Sequence, residues 1–145
     1  MTEKKGPDHY RYFACLEPSG VKIVAERYVV IGETPKCWYI IHHTYAGYVH
    51  NQSDWGRSMV KRYRKRVLKQ QDYGRRFAYA DKHLAMFSLR ERLRFKLARM
   101  KTEMSVATLA VAQAEALVEA KPKDLPIELE CGHDEHTASL RWADY

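Results

Sequence analysis

The stretch 81-DKHLAMFSLRERLRFKLARMKTEMSVATLAVAQAEALVEA-120 decides the fold. It holds no glycine and no proline, and alanine, leucine, arginine, lysine and glutamate dominate it. These residues lose little freedom in a helix. Asp81 is a good N-cap, because a carboxylate accepts from the unpaired amides of the first turn and suits the positive end of the helix dipole. Steps of four and three residues visit Met86, Arg90, Leu93, Leu97, Met100, Met104, Ala107, Val111, Ala114 and Val118, of which only Arg90 is polar. That is a heptad-like seam. Residues 81–120 at a helical rise of about 1.5 Å would form a rod of roughly 60 Å. A compact domain of this size is shorter across. The helix therefore either breaks near Thr102–Thr108 or pairs with another helix. Its second half, Ser105–Ala120, has small seam residues that allow close approach, and a homodimer through 104–118 is expected. Lys121-Pro122 ends it, since proline cannot continue a helix.

Upstream of this helix the pattern is that of strands. Tyr10–Glu17 (YRYFACLE) reads as a first strand, and Pro18-Ser19-Gly20 as a turn in which glycine permits positive φ. Val21–Ile31 reads as one long bent strand or two strands joined by a bulge. Thr34-Pro35-Lys36 is a second turn, and Cys37–His42 (CWYIIH) the most strand-like segment. His43–Trp55 reads as a loop. Its Tyr45, Tyr48 and Trp55 are costly to leave in water, so they pack on their own domain or serve a partner. Arg57–Gln70 reads as a basic helix or an irregular strand, Asp72-Tyr73-Gly74 as a turn, and Arg75–Tyr79 as a short strand. The N-terminal residues through His9 read as a loose lead-in, and Ile127–Cys131 as one more strand. The fold class is α+β. Residues 1–80 form a small antiparallel β domain with a basic segment at 57–76. Residues 81–120 form a long amphipathic helix, and 121–145 an acidic tail. The sheet is expected to pack on the helix through Leu84, Phe87 and Leu89.

Charge is strongly segregated. Between Arg57 and Lys101 there are 16 basic residues and three acids, a balance of +13. Residues 1–56 sum to zero, and 102–145 to −6. A pI near 9.3 with the positive charge concentrated in one block points to an anionic partner rather than to a reaction. The apolar runs are too short to span a bilayer, and the N-terminal MTEKKGPDHY lacks the apolar segment of a signal peptide. Three widely spaced cysteines do not make a disulfide framework. A cytoplasmic protein is the expectation.

Lysine and arginine neutralise phosphates with release of counterions, and aromatic rings between them can stack on bases. Candidate phosphate contacts are Lys61, Arg62, Arg64, Lys65, Arg66, Lys69, Arg75, Arg76, Arg92, Lys96 and Arg99, the last three sharing one helix face. Tyr63, Tyr73, Phe77 and Tyr79 interleave with them. Such charge runs also serve simply as solvated faces. The second expectation is a protein–protein contact through Tyr45, Tyr48 and Trp55. A third is zinc: Cys131, His133 and His136 offer thiolate and imidazole ligands, with Cys37, His42 and His43 available to complete a site. Their C-x-H-x-x-H spacing matches no common structural-zinc pattern, so no metal or other cofactor is expected. There is no glycine-rich phosphate loop, no H-E-x-x-H and no nucleophile elbow. His42-His43 near Asp54, or His133 with Glu135, are acid–base pairs of a kind that any chain with seven histidines offers. No catalytic residue is assigned. Met86, Met100 and Met104 read as core filler.

The run Lys65-Arg66-Val67-Leu68-Lys69, then Gly74-Arg75-Arg76-Phe77-Ala78-Tyr79, then Lys82, Ala85, Ser88, Arg92 and Lys96 resembles a pattern in small uncharacterised bacteriophage proteins. There a strand ending in such a motif enters a long basic helix. The likeness covers Lys65–Ala120, with Ala80 standing where a proline often follows the aromatic. It implies a phage or prophage accessory protein of the bacterial cytoplasm, without implied catalytic residues, that interferes with host or defence machinery. The combined expectation is a non-catalytic protein binding nucleic acid or a nucleoprotein. The alternatives are a protein inhibitor of a host or defence enzyme and a zinc-dependent enzyme.

Overall fold

The computed structural model describes residues 6–70 and 76–141. The turn expected at Asp72-Tyr73-Gly74, the cation Arg75 and the tail residue Trp142 lie outside the described residues. The chain divides into two compact units, Met1–Glu91 and Arg92–Tyr145.

The first unit is built on an antiparallel sheet of four described strands in sequence order. They are β1 (His9–Glu17), β2 (Gly20–Glu33), β3 (Cys37–His42) and β4 (Lys65–Leu68). Pro18 and Ser19 turn β1 into β2, pairing Glu17 with Gly20, whose φ of 124° favours glycine. Thr34 and Cys37 exchange backbone hydrogen bonds of 2.9 and 3.3 Å around the second turn. The register of β2 against β3 shifts between Val30 and Gly32. The long apolar run is thus one strand with a bulge, which re-aims its end.

Tyr28, Val30, Ile40, Val67 and Ala78 form the core cluster, with Trp38 and Phe77 packed against it. Arg75–Tyr79 was expected as a strand. The described part, 76–79, makes only an isolated bridge, Tyr79 to Tyr10. Instead of pairing, it lays Phe77 over the sheet, where the Arg11 guanidinium donates to the Phe77 carbonyl at 2.7 Å. The lead-in is also less loose than expected. His9 is buried and its Nδ1 donates to the Pro7 carbonyl at 2.9 Å. A Cβ at Gly6 would fall 2.8 Å from the Trp38 indole.

His43–Trp55 is not a loop. A 3-10 helix occupies His43–His50, and α1 occupies Asp54–Tyr63. Ser53 caps α1 by accepting from the Gly56 amide at 3.1 Å, with Asp54 in the first turn and Lys61 and Arg62 in the last, each suited to the helix dipole. The segment 57–70 is therefore both helix and strand, changing at Arg64.

The long helix α2 (Lys82–Ala120) begins in the first unit and continues into the second. Asp81 caps it, its Oδ1 accepting from the amides of His83 and Leu84 at 2.7 and 3.3 Å. The break expected near Thr102–Thr108 is absent, and α2 is continuous over 39 residues. Thr102 and Thr108 fit within it because their hydroxyls donate to the carbonyls of Ala98 and Met104, four residues back. Its early buried positions are Ala85, Ser88 and Leu89. Leu84 and Phe87, expected to join Leu89 in packing, are exposed. They lie off the buried stripe by one position in the helical period. Met86, Met100 and Met104 are exposed too, rather than core filler.

In the second unit a short helix, α3 (Glu135–Ser139), carries a capping box on Asp134 and Thr137. The strand expected at Ile127–Cys131 does not form; Ile127 is fully exposed, and the segment is a bend followed by irregular chain. None of the helices among the described residues is long and apolar enough to cross a membrane.

Candidate nucleic-acid interface

The expected cations of the first unit fall on three successive elements. Lys61 and Arg62 end α1, Arg64 is the junction, and Lys65 and Arg66 lie on β4, the last strand of the sheet. Side chains alternate along a strand. Arg66 stands opposite Tyr39 and Lys65 opposite Ile40, so the two cations flank opposite faces. Charged residues on an edge also discourage pairing with another sheet.

Most of these cations sit over the chain's own rings. The Arg62 guanidinium is 5.6 Å from the Tyr63 centroid, Arg64 is 5.0 Å from Tyr39, and Lys65 Nζ is 5.4 Å from Phe77. Lys69 Nζ is 4.2 Å from the Trp38 ring, and Arg76 6.0 Å from Tyr79. Arg11 approaches Phe77 to 4.5 Å, so that ring has two cationic neighbours. Each contact is worth about 0.5–1 kcal/mol at an exposed site. A ring positions a cation without cancelling its net charge; a carboxylate cancels it. Among the described residues, only Lys69 of the β4 group pairs with a carboxylate, that of Glu33. The interleaved aromatics Phe77 and Tyr79 are thus committed to cations of this chain.

Beside Lys65 lies a cavity of about 280 Å3 lined by Glu26, Tyr28, His42, Thr44, Tyr45, Tyr63 and Lys65. The sheet register brings it together, because Tyr28 pairs with His42 and Glu26 lies two residues before Tyr28 on the same face. The Tyr28 hydroxyl donates to Glu26 Oε2 at 2.9 Å. Burial, then the hydrogen bond to Glu26 and its charge, push the Tyr28 phenol up to about 12. It stays protonated at neutral pH. His42 Nδ1 accepts from the Thr44 amide at 3.3 Å and lies 2.7 Å from the Thr44 hydroxyl. This assignment leaves the proton of the neutral ring on Nε2. Tyr45 stacks on Tyr63 at 4.3 Å and 14°, forming a flat wall. The cavity combines a cation, a carboxylate, an N–H donor and π surface.

Tyr45, Tyr48 and Trp55, expected to face a partner or pack at home, pack on one another. Tyr48 lies 5.9 Å from Tyr45 at 11°, and edge-on to Trp55 at 5.2 Å. Trp55 still remains 58% exposed.

Arg92, Lys96 and Arg99 belong to the second unit, as a row along α2. Arg99 pairs with Glu103 at 3.2 Å. Among the described residues no three His, Cys, Asp or Glu side chains gather in a metal-holding group. His136 Nε2 lies 3.0 Å from the Thr102 hydroxyl, and His133 Nδ1 3.3 Å from that of Thr137. Cys131 is exposed, with Sγ 3.8 Å from the Leu129 carbonyl.

Glu26, Tyr28 and Thr44 did not emerge from the sequence as site residues. The signal for Glu26 and Tyr28 is the two-residue period of β2, which becomes informative once Tyr28 is known to face His42; Thr44, in the 3-10 helix, carries no such signal.

No family model, curated protein or solved structure matches this chain.

Proposed function

We propose that the chain is a non-catalytic nucleic-acid-binding protein whose primary contact is the first unit. Lys61, Arg62, Arg64, Lys65 and Arg66 would take phosphates, with Arg76 contributing. The cavity beside Lys65 would receive one nucleotide. There the ammonium and the His42 Nε2–H suit a phosphate or base acceptor, Glu26 suits a sugar hydroxyl, and the Tyr45–Tyr63 wall suits a base. The observation that carries this reading is that Lys65 adjoins both the Phe77 ring and a cavity walled by Tyr45 and Tyr63, while its neighbour Arg64 is held over the uncharged Tyr39 ring. The setting proposed with it is that of a phage or prophage accessory protein in the bacterial cytoplasm.

Fluorescence anisotropy with labelled single-stranded RNA and DNA tests it. Affinity should fall about 10³-fold between roughly 50 and 200 mM salt if about six phosphates are contacted. Replacing Arg64, Lys65 or Arg66 singly by alanine should each lower the salt slope by about one. Salt-insensitive binding, or unchanged slopes, would remove the reading. The exposure of Trp55 favours a second one, a protein partner docking at the Tyr48–Trp55 corner to inhibit a host or defence enzyme. Trp55→Ala should then abolish partner binding and leave nucleic-acid affinity unaltered.

A further inference from the structure

Along α2, Leu97, Met104, Val111 and Val118 recur every seven residues and are exposed by 67%, 66%, 53% and 71%. Met100, Ala107 and Ala114 interleave with them and are exposed as well. This apolar row runs over 22 residues, about 32 Å from Leu97 to Val118 at the helical rise. The opposite side of the same helix is the covered one. There Thr102 meets His136, Ser105 is buried and bonded to Asp134, and Leu109 is half-buried. The second unit thus uses one side of α2 for its own tail and leaves a 3.5-residue seam unoccupied. A seam of that period fits another helix, with each side chain entering a hole between four of its neighbour's.

Charge and side-chain size choose the occupant and its direction. Residues 92–101 carry five cations and no acid, whereas 102–120 carry Glu103, Glu115 and Glu119 and no cation. In a parallel pair of copies, Lys96 of one helix would flank Lys101 of the other, a like-charge contact. In an antiparallel pair, Lys101 of each helix would flank Glu115 of its neighbour. The same arrangement sets Met104 against Ala114, Val111 against Ala107 and Val118 against Met100. Large residues then mostly face small ones. We propose that α2 pairs antiparallel with α2 of a second copy of this chain, through the row Leu97–Val118. This does not depend on the nucleic-acid reading.

Sedimentation equilibrium of the full chain provides the test, because the sign of a single charge reversal reports direction. Val111→Glu should yield a monomer whose helix content by circular dichroism is unchanged. Lys101→Glu should weaken the dimer by roughly tenfold or more, since two symmetric attractions become repulsions. Lys101→Glu combined with Glu115→Lys should restore wild-type affinity. A wild-type chain that remains monomeric at about 100 μM, in the range of weak but specific association, would overturn the proposal. So would a dimer that Val111→Glu leaves intact. A dimer that Lys101→Glu tightens would overturn the antiparallel direction, because relief from Lys96 is the parallel signature. Should Val111→Glu lose helix content, Met104→Gln supplies the milder variant, with the same loss of dimer expected.

Discussion

At the scale of single residues, two positions report how tightly the first unit is closed. His9 is buried, and burial above all holds its imidazole below the ordinary 6.5; nearby Arg76 adds to this, while the Pro7 hydrogen bond and Asp8 oppose it. The unfolded chain protonates near 6.5 and the folded chain at a lower pH. The folded state therefore binds fewer protons across that window. Stability should be full above pH 6.5, fall as pH drops from there toward the folded value, and change no further from this source below it. Melting temperatures from pH 8 down to pH 5 should show this decline, and His9→Gln should flatten it. Gly56 is the second reporter. A Cβ there would lie 2.5 Å from the Asn51 carbonyl and 2.6 Å from the Asn51 Cβ. Gly56→Ala should cost about 2 kcal/mol, as overpacking against backbone does, measurable by urea denaturation. Because α1 carries the Tyr63 ring of the cavity, the variant should also weaken nucleotide binding.

At the scale of elements, the second unit depends on how α3 meets α2. Asp134 is held below the usual carboxylate range, first by the Thr137 amide and then by the Ser105 hydroxyl. A lowered folded value contributes stability above the unfolded one, which is lost as pH falls through the folded one. Asp134→Ala should release 135–139, read as faster amide exchange there with the centre of α2 unaffected. Thr102 and Ser105 sit in the stretch whose polarity had suggested a break in the helix. Their hydroxyls instead receive the tail. Helix α2 itself was legible, since 81–120 lacks glycine and proline and begins on Asp81. So were β1 to β3, bounded by Pro18-Ser19-Gly20 and Thr34-Pro35-Lys36. The start of helix α1 at Asp54 was missed although Ser53-Asp54 is a capping signature, because the glycine and asparagine around it read as loop. For 57–70, helix and strand stood as alternatives rather than as neighbours, since with most positions polar neither period is strong enough to place the change at Arg64. The cavity was illegible for another reason. It requires the pairing of Tyr28 with His42, a contact between strands that no local pattern encodes.

At the scale of the whole molecule, a formal charge of +7 conceals a larger separation between a cationic middle and an anionic end. Binding to any polyanion should therefore weaken with ionic strength far more than the net charge alone suggests. A double variant, Arg64→Ala with Arg66→Ala, should lose about two units of salt slope while lowering the melting temperature by only a few degrees, since exposed charges and one cation–ring contact contribute little to stability. Unequal effects of the β4 and α2 cations in the same titration would rank the two units as contact surfaces.

Lys121 closes α2 with φ at 44°, a geometry that favours glycine, just before Pro122. Its amide still reaches the Leu117 carbonyl at 3.1 Å. The final turn is therefore held under torsional tension by an ill-suited residue. Exchanging Lys121 for glycine should raise thermal tolerance by about 1 kcal/mol. That would give protein engineers a stabilising handle outside the residues proposed to bind nucleic acid.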